Sequence, residues 1–167
     1  MKINKLSYIL YIVFIFIQGC GYTTKANFLP THIKSVYIET FKNNTDQPNL
    51  ENEFRTKMIA TVQDDGNLII VSADEADTVL KGQIINYYRQ GLRYSNDDAI
   101  REYRLGIVTS FEFIDNSTDK AIVKDPSFAG DTTFYVTGTL LTSEDNARKD
   151  ALNDLATRML NKILTLW

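Results

Sequence analysis

Apolar and polar residues follow different periods in successive parts of the chain. Residues 33–41 alternate, with Val36 and Ile38 on one side, which predicts a strand. From Asn49 onward the period becomes helical, because apolar residues then recur four apart. Asn49 is expected to cap this helix and Gly66 to end it. The apolar stripe consists of Leu50, Phe54, Met58 and Val62.

A short apolar run at 68–71 follows the helix and predicts a buried strand. A strand, a helix and a second strand in this order favour a right-handed crossover. We therefore expect residues 33–41 and 68–71 to belong to a parallel arrangement in one sheet.

The longest strand-forming region has two arms, residues 78–94 and 99–115, on either side of a polar stretch at 95–98. This pattern predicts a long antiparallel hairpin. Apolar side chains line one face of the second arm, while polar residues and glycine line most of the other. The apolar set is Tyr103, Leu105, Ile107, Phe111 and Phe113, and the opposite set is Glu102, Arg104, Gly106, Ser110 and Glu112. One face is expected to pack and the other to contact water.

After the hairpin, residues 121–123 are expected to extend the sheet, 126–131 to form a loop and 132–137 to form a last strand. A helical stripe returns from Ser143, which is expected to cap a helix with acidic residues in its first turn. Together these elements predict an α+β fold. Two helices would pack on one face of a mixed sheet of four to five strands, and the other face would be polar.

The first nineteen residues have the layout of a secretory signal peptide. Two lysines flank the start of an almost unbroken apolar run at 6–17, which is too short for a comfortable membrane-spanning helix. Residues 17–20 resemble the lipobox of bacterial lipoproteins, so Cys20 is predicted to carry lipid. Gly21 follows it, and by resemblance to bacterial sorting rules this favours the outer membrane. A buried structural cysteine and a stray thiol are the alternatives.

This interpretation divides the chain into a signal peptide at 1–19, a lipidated amino terminus and tether at 20–31, and a single domain at 32–167. The chain has 18 basic and 21 acidic side chains and a net charge of -3. Sequence-independent nucleic-acid binding depends on neutralising phosphates, so an acidic chain is a poor candidate for it. One cysteine cannot form an intrachain disulfide, and packing must supply the stability.

No residue pattern typical of catalysis or metal binding stands out. His32 is the only histidine, and it has no cysteine partner once Cys20 is acylated. Residues 64–67 lack the oxygen ligands of a cation loop, and a turn that ends the helix is the better interpretation. The acidic residues at 74–77 are of a kind that usually stays solvated. We expect no catalytic residue, no metal and no cofactor.

Arginine and tyrosine side chains concentrate near the end of the predicted hairpin. A planar guanidinium group suits phosphate, and tyrosine suits a boundary between wet and apolar surroundings. The alternative is an ordinary hairpin whose arginines extend into solvent. The candidate contact residues are Arg89, Arg93, Tyr94, Arg101 and Arg104.

Several segments resemble the LptE family of lipopolysaccharide-assembly lipoproteins. The likeness lies in the strand and turn at 36–45, the helix start at 48–50, the segments at 66–71 and 76–84, and the tyrosine pair at 87–88. These motifs are strand, turn and packing signatures, and none of them is catalytic.

The resemblance implies an α+β plug inside the lumen of an outer-membrane β-barrel, LptD, where it supports barrel assembly and the delivery of lipopolysaccharide to the cell surface. The lipid would hold the domain at the periplasmic side of the outer membrane. Our hypothesis is that Arg89, Arg93, Arg101 and Arg104 face the barrel wall or the lipid phosphates. The competing hypothesis is a lipoprotein that regulates or scaffolds another envelope machine, such as a cell-wall synthase activator or a secretion-pore subunit.

Overall fold

The computed structural model describes residues 29–96, 99–137 and 141–165. The described elements form an α+β fold, as predicted, and the mixed sheet has six strands rather than four or five. The additional strand is a two-residue segment at Lys42–Asn43, between the first predicted strand and the first helix. The elements are β1 (Ser35–Ile38), β2 (Lys42–Asn43), α1 (Leu50–Asp65), β3 (Ile69–Ile70), β4 (Thr78–Tyr94), β5 (Ile100–Asp115), β6 (Lys120–Tyr135) and α2 (Glu144–Thr165).

The strand order in the sheet is β3-β1-β4-β5-β6, and β2 pairs with β4 on the same side as β1. β1 is parallel to β3 and to β4, which confirms the predicted parallel arrangement around α1. β4, β5 and β6 are antiparallel to one another. The predicted long hairpin is therefore the centre of the sheet, and β6 is one of its edges.

The core lies between one face of the sheet and the two helices. The predicted stripe of α1 is buried, and so is the predicted apolar face of β5 apart from the partly buried Tyr103. Gly130 lets α2 approach β6 closely, because a Cβ atom there would lie 2.5 Å from the Leu155 Cα atom. The Ser143 hydroxyl accepts the Asn146 N–H at 3.3 Å, as expected of a helix cap. Within the described residues, neither helix combines the length and apolarity needed to cross a membrane.

The predicted loop at 126–131 is wrong, because β6 runs through it without a break. Proline is tolerated here since β6 is an edge strand, where a missing N–H leaves no neighbouring strand unpaired. Thr109 pairs with Phe128 whereas Phe111 pairs with Asp125, so Pro126 lies in a bulge.

Two smaller predictions also fail. Asn49 precedes α1 in a left-handed conformation with φ of 65°, and its side chain makes no capping hydrogen bond. Ile69 is 65% exposed, because β3 lies at the sheet edge and is only two residues long. Gly66 does end α1, in a left-handed conformation with φ of 75°, and its N–H donates to the Val62 carbonyl.

Carboxylates fasten the start of the described chain to the sheet. The Lys34 and Ser35 N–H groups both donate to Asp77 Oδ2 at 2.9 Å. Asp115, at the end of β5, bonds to His32 Nε2 through Oδ2 at 3.1 Å. The first described residues consequently lie at the end of the sheet where β4 begins and β5 ends, opposite the end of the hairpin at Tyr94 and Ile100.

Candidate functional site

The outer half of the β4–β5 hairpin holds the arginine and tyrosine residues that the sequence singles out. Ile84 pairs with Thr109 and Asn86 with Val108, so Ile85 is an extra residue in β4. This bulge reverses the alternation of β4. Even-numbered residues such as Ile84 face the helices before the bulge, and odd-numbered residues pair with the buried face of β5 after it.

Arg89 lies on the helix side of the sheet, where it pairs with the buried Leu105. Its Nη1 atom is 2.6 Å from Glu144 Oε2, at the start of α2. The Tyr87 hydroxyl donates to the other oxygen of Glu144 at 3.0 Å. Burial, and then this hydrogen bond, raise the pKa of Tyr87 above its ordinary value. The hydroxyl therefore stays protonated and keeps its role as donor, and the hairpin is held against α2.

Arg93 and Arg104 lie on the open face of the sheet. Each forms an ion pair with a carboxylate on the neighbouring strand. Arg93 Nε is 2.9 Å from Glu102 Oε2, and the Glu102 side chain is only 9% exposed whereas that of Arg93 is 71% exposed. Arg104 Nε is 3.5 Å from Asp131 Oδ2. Both guanidinium groups are thus oriented by a carboxylate, and Arg93 in particular still presents most of its surface to solvent.

Arg101 and Tyr94 complete the end of the hairpin. Arg101 is exposed and lies at a register shift between the pairs of Arg93 and Tyr94. Among the described residues no carboxylate forms an ion pair with it. Tyr94 and Leu92 are 59% and 37% exposed. We call Leu92, Arg93, Tyr94 and Arg101 the tip surface, because all four are exposed at this end of the hairpin. Tyr94 lies beside Gly91, on the helix side, whereas Arg93 lies on the open face.

The five candidate residues therefore lie along one half of one hairpin, but they divide between its two faces. Arg89 is directed toward α2, while Arg93 and Arg104 belong to the open face. The carboxylates that engage them were not predicted as partners. Arg89 and Glu144, for example, are 55 residues apart, and no local pattern links them.

The acidic residues considered for catalysis are used for structure instead. Asp77 accepts hydrogen bonds from Lys34 and Ser35, and these bonds lower the pKa of its carboxyl group. Ser72 donates to Glu75 within the same loop at 2.8 Å. No group of three or more histidine, cysteine or acidic residues in the described part of the chain is arranged to hold a metal. Cys20 and the signal at 1–19 lie outside the described residues.

A shallow concavity of about 620 Å³ lies lower on the open face of the sheet. It contains Lys81, Lys42 and Lys124, and the last of these is 2.5 Å from a Glu112 oxygen. Its acids are Glu39, Glu112 and Asp125, of which Asp125 pairs instead with Lys162 of α2. This face is polar, as predicted, and its charges are largely balanced.

Residues 33–165 match the family model of LptE, which is described as lipopolysaccharide-assembly. The match covers every described strand and helix. The chain belongs to the LptE family. LptE proteins are non-enzymatic lipoproteins of lipopolysaccharide assembly, so this chain is an envelope lipoprotein of that group.

Solved structures share the fold at low sequence identity. A protein of Xanthomonas campestris has a TM-score of 0.56 at 11% identity, over 78% of this chain and 84% of that one. Lipoprotein B of Nitrosomonas europaea has a TM-score of 0.54 at 13% identity, over 83% and 85%. A PelC dodecamer of Paraburkholderia phytofirmans has a TM-score of 0.51 at 18% identity, over 79% and 87%. No curated protein matches the LptE chain in sequence.

Proposed function

We propose that this LptE protein occupies the lumen of an LptD-type outer-membrane β-barrel, supports the assembly of that barrel and assists lipopolysaccharide on its way to the cell surface. The observation that carries the proposal is the family match over residues 33–165. The protein acts by binding and positioning, and it needs no cofactor or metal. We further propose that Cys20 carries the lipid and that the domain enters the barrel from the periplasmic side.

The shape of the sheet supports this orientation. The first described residues reach the sheet near Asp115, and the tip surface lies at the other end of β5. At about 3.3 Å per residue, sixteen residues of strand separate these ends by roughly 50 Å. A domain anchored at the periplasmic side would thus direct its tip surface deep into the barrel.

The chemistry of the tip surface suits the phosphate groups and acyl boundary of lipopolysaccharide. Arg93 and Arg101 offer planar cations to phosphate, and Leu92 and Tyr94 offer exposed apolar area at the same end of the hairpin. We propose that Arg89 and Arg104 contribute through the shape of the hairpin, since each is engaged by a carboxylate. We propose that the hairpin arginines contact either the barrel wall or the phosphates of the lipid.

The proposal predicts that replacing both Arg93→Gln and Arg101→Gln weakens lipopolysaccharide binding or recovery of the barrel. Loss of two phosphate contacts at about 1.5 kcal/mol each corresponds to a decrease in affinity of about 100-fold. Binding of purified lipopolysaccharide and pull-down of the barrel from detergent-solubilised outer membrane measure the two effects.

The matched control for this experiment is the double variant Lys34→Gln and Lys120→Gln. It removes the same charge from two exposed residues at the opposite end of the sheet, and it should bind as the unmodified protein does. Unchanged lipopolysaccharide binding together with unchanged barrel recovery in the arginine variant would refute the role of the tip surface. Recovery of a peptidoglycan synthase in place of a barrel would instead support the competing hypothesis.

A further inference from the structure

The outer half of β4 forms a free edge of the sheet. β1 and β2 pair with β4 only as far as Ile84, whose carbonyl accepts the Asn44 N–H at 3.0 Å. From Asn86 to Gly91 six successive residues pair with β5 without a register shift. On the other side of these six residues, no strand of the described chain pairs with them. Every second residue of the segment therefore directs its N–H and C=O groups away from the sheet.

The opposite edge of the sheet is protected. Pro126 and its bulge interrupt the outer side of β6, and the Asp131 N–H donates to the Asp154 carboxylate of α2 at 3.1 Å. Near the end of β6, Tyr135 forms a parallel bridge with Leu141. Proline, bulges and covering groups are the devices by which proteins prevent strand addition at an edge. The fold protects β6 in this way, whereas the described residues leave the outer half of β4 open.

A small polar cleft of about 200 Å³ lies where β2 leaves β4 and the free edge begins. Its lining is rich in oxygen atoms, from the Asp46 carboxylate and from side-chain amides and a hydroxyl. An added strand that begins at this point would direct a side chain with hydrogen-bond donors into the cleft. The lining residues are Asn44, Thr45, Asp46, Gln47, Ile85, Asn86 and Tyr87.

We propose that an extended segment of the β-barrel partner pairs with the free edge at Asn86–Gly91 and becomes a seventh strand of the sheet. This inference rests on the proposed function, which surrounds the domain with a barrel. Entry into a lumen removes water from backbone groups that have no partner, and such groups are costly to bury. Pairing with a strand of the surrounding protein satisfies them, and it gives a reason why this stretch of β4 lacks the protection that β6 has.

The proposal predicts a fixed register between the two proteins. Single cysteines would replace the exposed Asn86 and Gln90 in the full lipidated chain, whose only natural cysteine is the one that carries the proposed lipid. Cysteines would be scanned along the lumen-facing segments of the co-expressed barrel, and disulfides would be measured after mild oxidation. We expect both positions to cross-link to one barrel segment, at partner positions four residues apart.

Thr133→Cys provides the matched control. Thr133 lies in the same row of the sheet as Gln90, since both are register neighbours of Arg104, but it belongs to the protected edge. It should not cross-link to the barrel segment that captures Asn86→Cys and Gln90→Cys. Thermal unfolding of each free variant shows whether it has kept its fold.

The other outcomes overturn the inference in distinguishable ways. Co-purification of the barrel without cross-links from Asn86→Cys and Gln90→Cys would leave the proposed function standing and disprove strand addition. Cross-links scattered over several barrel segments would disprove a fixed register. Cross-links between two copies of this chain would show that the edge pairs with itself. Absence of the barrel from the purified material would refute the proposed function as well.

Discussion

Asp115 shows how one side chain holds several segments together at one end of the sheet. It bonds to His32, near the start of the described chain, and to Ser117, just after β5. Its Oδ1 atom accepts the Ser117 hydroxyl at 2.7 Å and the Ser117 N–H at 2.8 Å. The Ser117 hydroxyl, and then the Ser117 N–H and the His32 and Thr118 side chains, lower the pKa of Asp115 to about 2, against the opposing effect of burial. The folded state thus prefers the ionised carboxylate.

This preference predicts a dependence of stability on pH. The unfolded pKa of an aspartate is about 3.9, so the stabilisation from Asp115 is complete above about pH 4 and is lost as the pH falls toward 2. Asp115→Asn should lower the unfolding temperature at pH 7, and its unfolding temperature should decrease less between pH 5 and pH 2.5. Thermal unfolding followed by circular dichroism measures both effects.

Asp64→Asn is the control, because Asp64 is an exposed carboxylate at the end of α1. It should follow the unmodified protein at every pH. If Asp115→Asn shows the same decrease between pH 5 and pH 2.5 as the unmodified protein, then Asp115 contributes nothing to acid sensitivity.

At the scale of elements, the start of α2 determines how the hairpin is held. Glu144 receives Tyr87 and Arg89 from β4, and both of these face α2 only because Ile85 is inserted before them. Without the bulge, their side chains would point to the open face. One extra residue in a strand thereby decides which side chains contact the helix.

Removing the Glu144 carboxylate should loosen this attachment. Glu144→Ala leaves the half-buried Tyr87 hydroxyl without its acceptor, which costs about 1 kcal/mol, and the loss of the Arg89 pair adds little because both partners are substantially exposed. We expect the unfolding temperature to decrease by about 3 °C. Tyr87→Phe in the same background should cost less than it does alone, since the two residues share one interaction.

Asp145→Ala controls for the loss of one negative charge from the first turn of α2. Asp145 lies in the same turn as Glu144, and its side chain is 74% exposed. Its effect should be smaller than that of Glu144→Ala. If the losses in free energy of unfolding from Tyr87→Phe and Glu144→Ala are additive in the double variant, the two side chains do not interact.

At the scale of the whole molecule, the first described residues and the tip surface lie at opposite ends of one sheet. β4 and β5 span this distance as a single paired hairpin, and the helices cover only one face of the sheet. The open face, the free edge and the tip surface are therefore available together to a surrounding partner. Under the proposed function, the lipid would set the direction from which the domain enters its partner.

The anchor itself is tested by Cys20→Ala. We expect this variant to incorporate no radiolabelled fatty acid and to leave the membrane fraction, because stable membrane attachment requires the acyl chains. Gln18→Ala provides the control, since it keeps the cysteine and gives residue 18 the small side chain usual in a lipobox; it should be labelled at least as well as the unmodified protein. Equal labelling of Cys20→Ala would rule out the anchor.

The sequence predicted much of the fold because its signals are local. The helical stripe ending at Gly66 and the two arms of the hairpin are confirmed to within a residue at most boundaries. The loop expected around Pro126 is wrong, since proline disfavours a strand only where its N–H has a partner. The environment of the arginines was also beyond prediction, because Glu144 and Asp131 approach them from distant parts of the chain.

The sequence by itself determined both helices and the two strands of the hairpin, the buried faces of α1 and β5, and the family to which the chain belongs. These properties follow from the periods of helix and strand, which the backbone geometry fixes over a few residues. Only the tertiary structure decided that Arg89 turns toward α2, that β6 is protected and that Asn86–Gly91 has a free edge. Those properties depend on register and strand order, which arise from pairing between residues far apart in the chain.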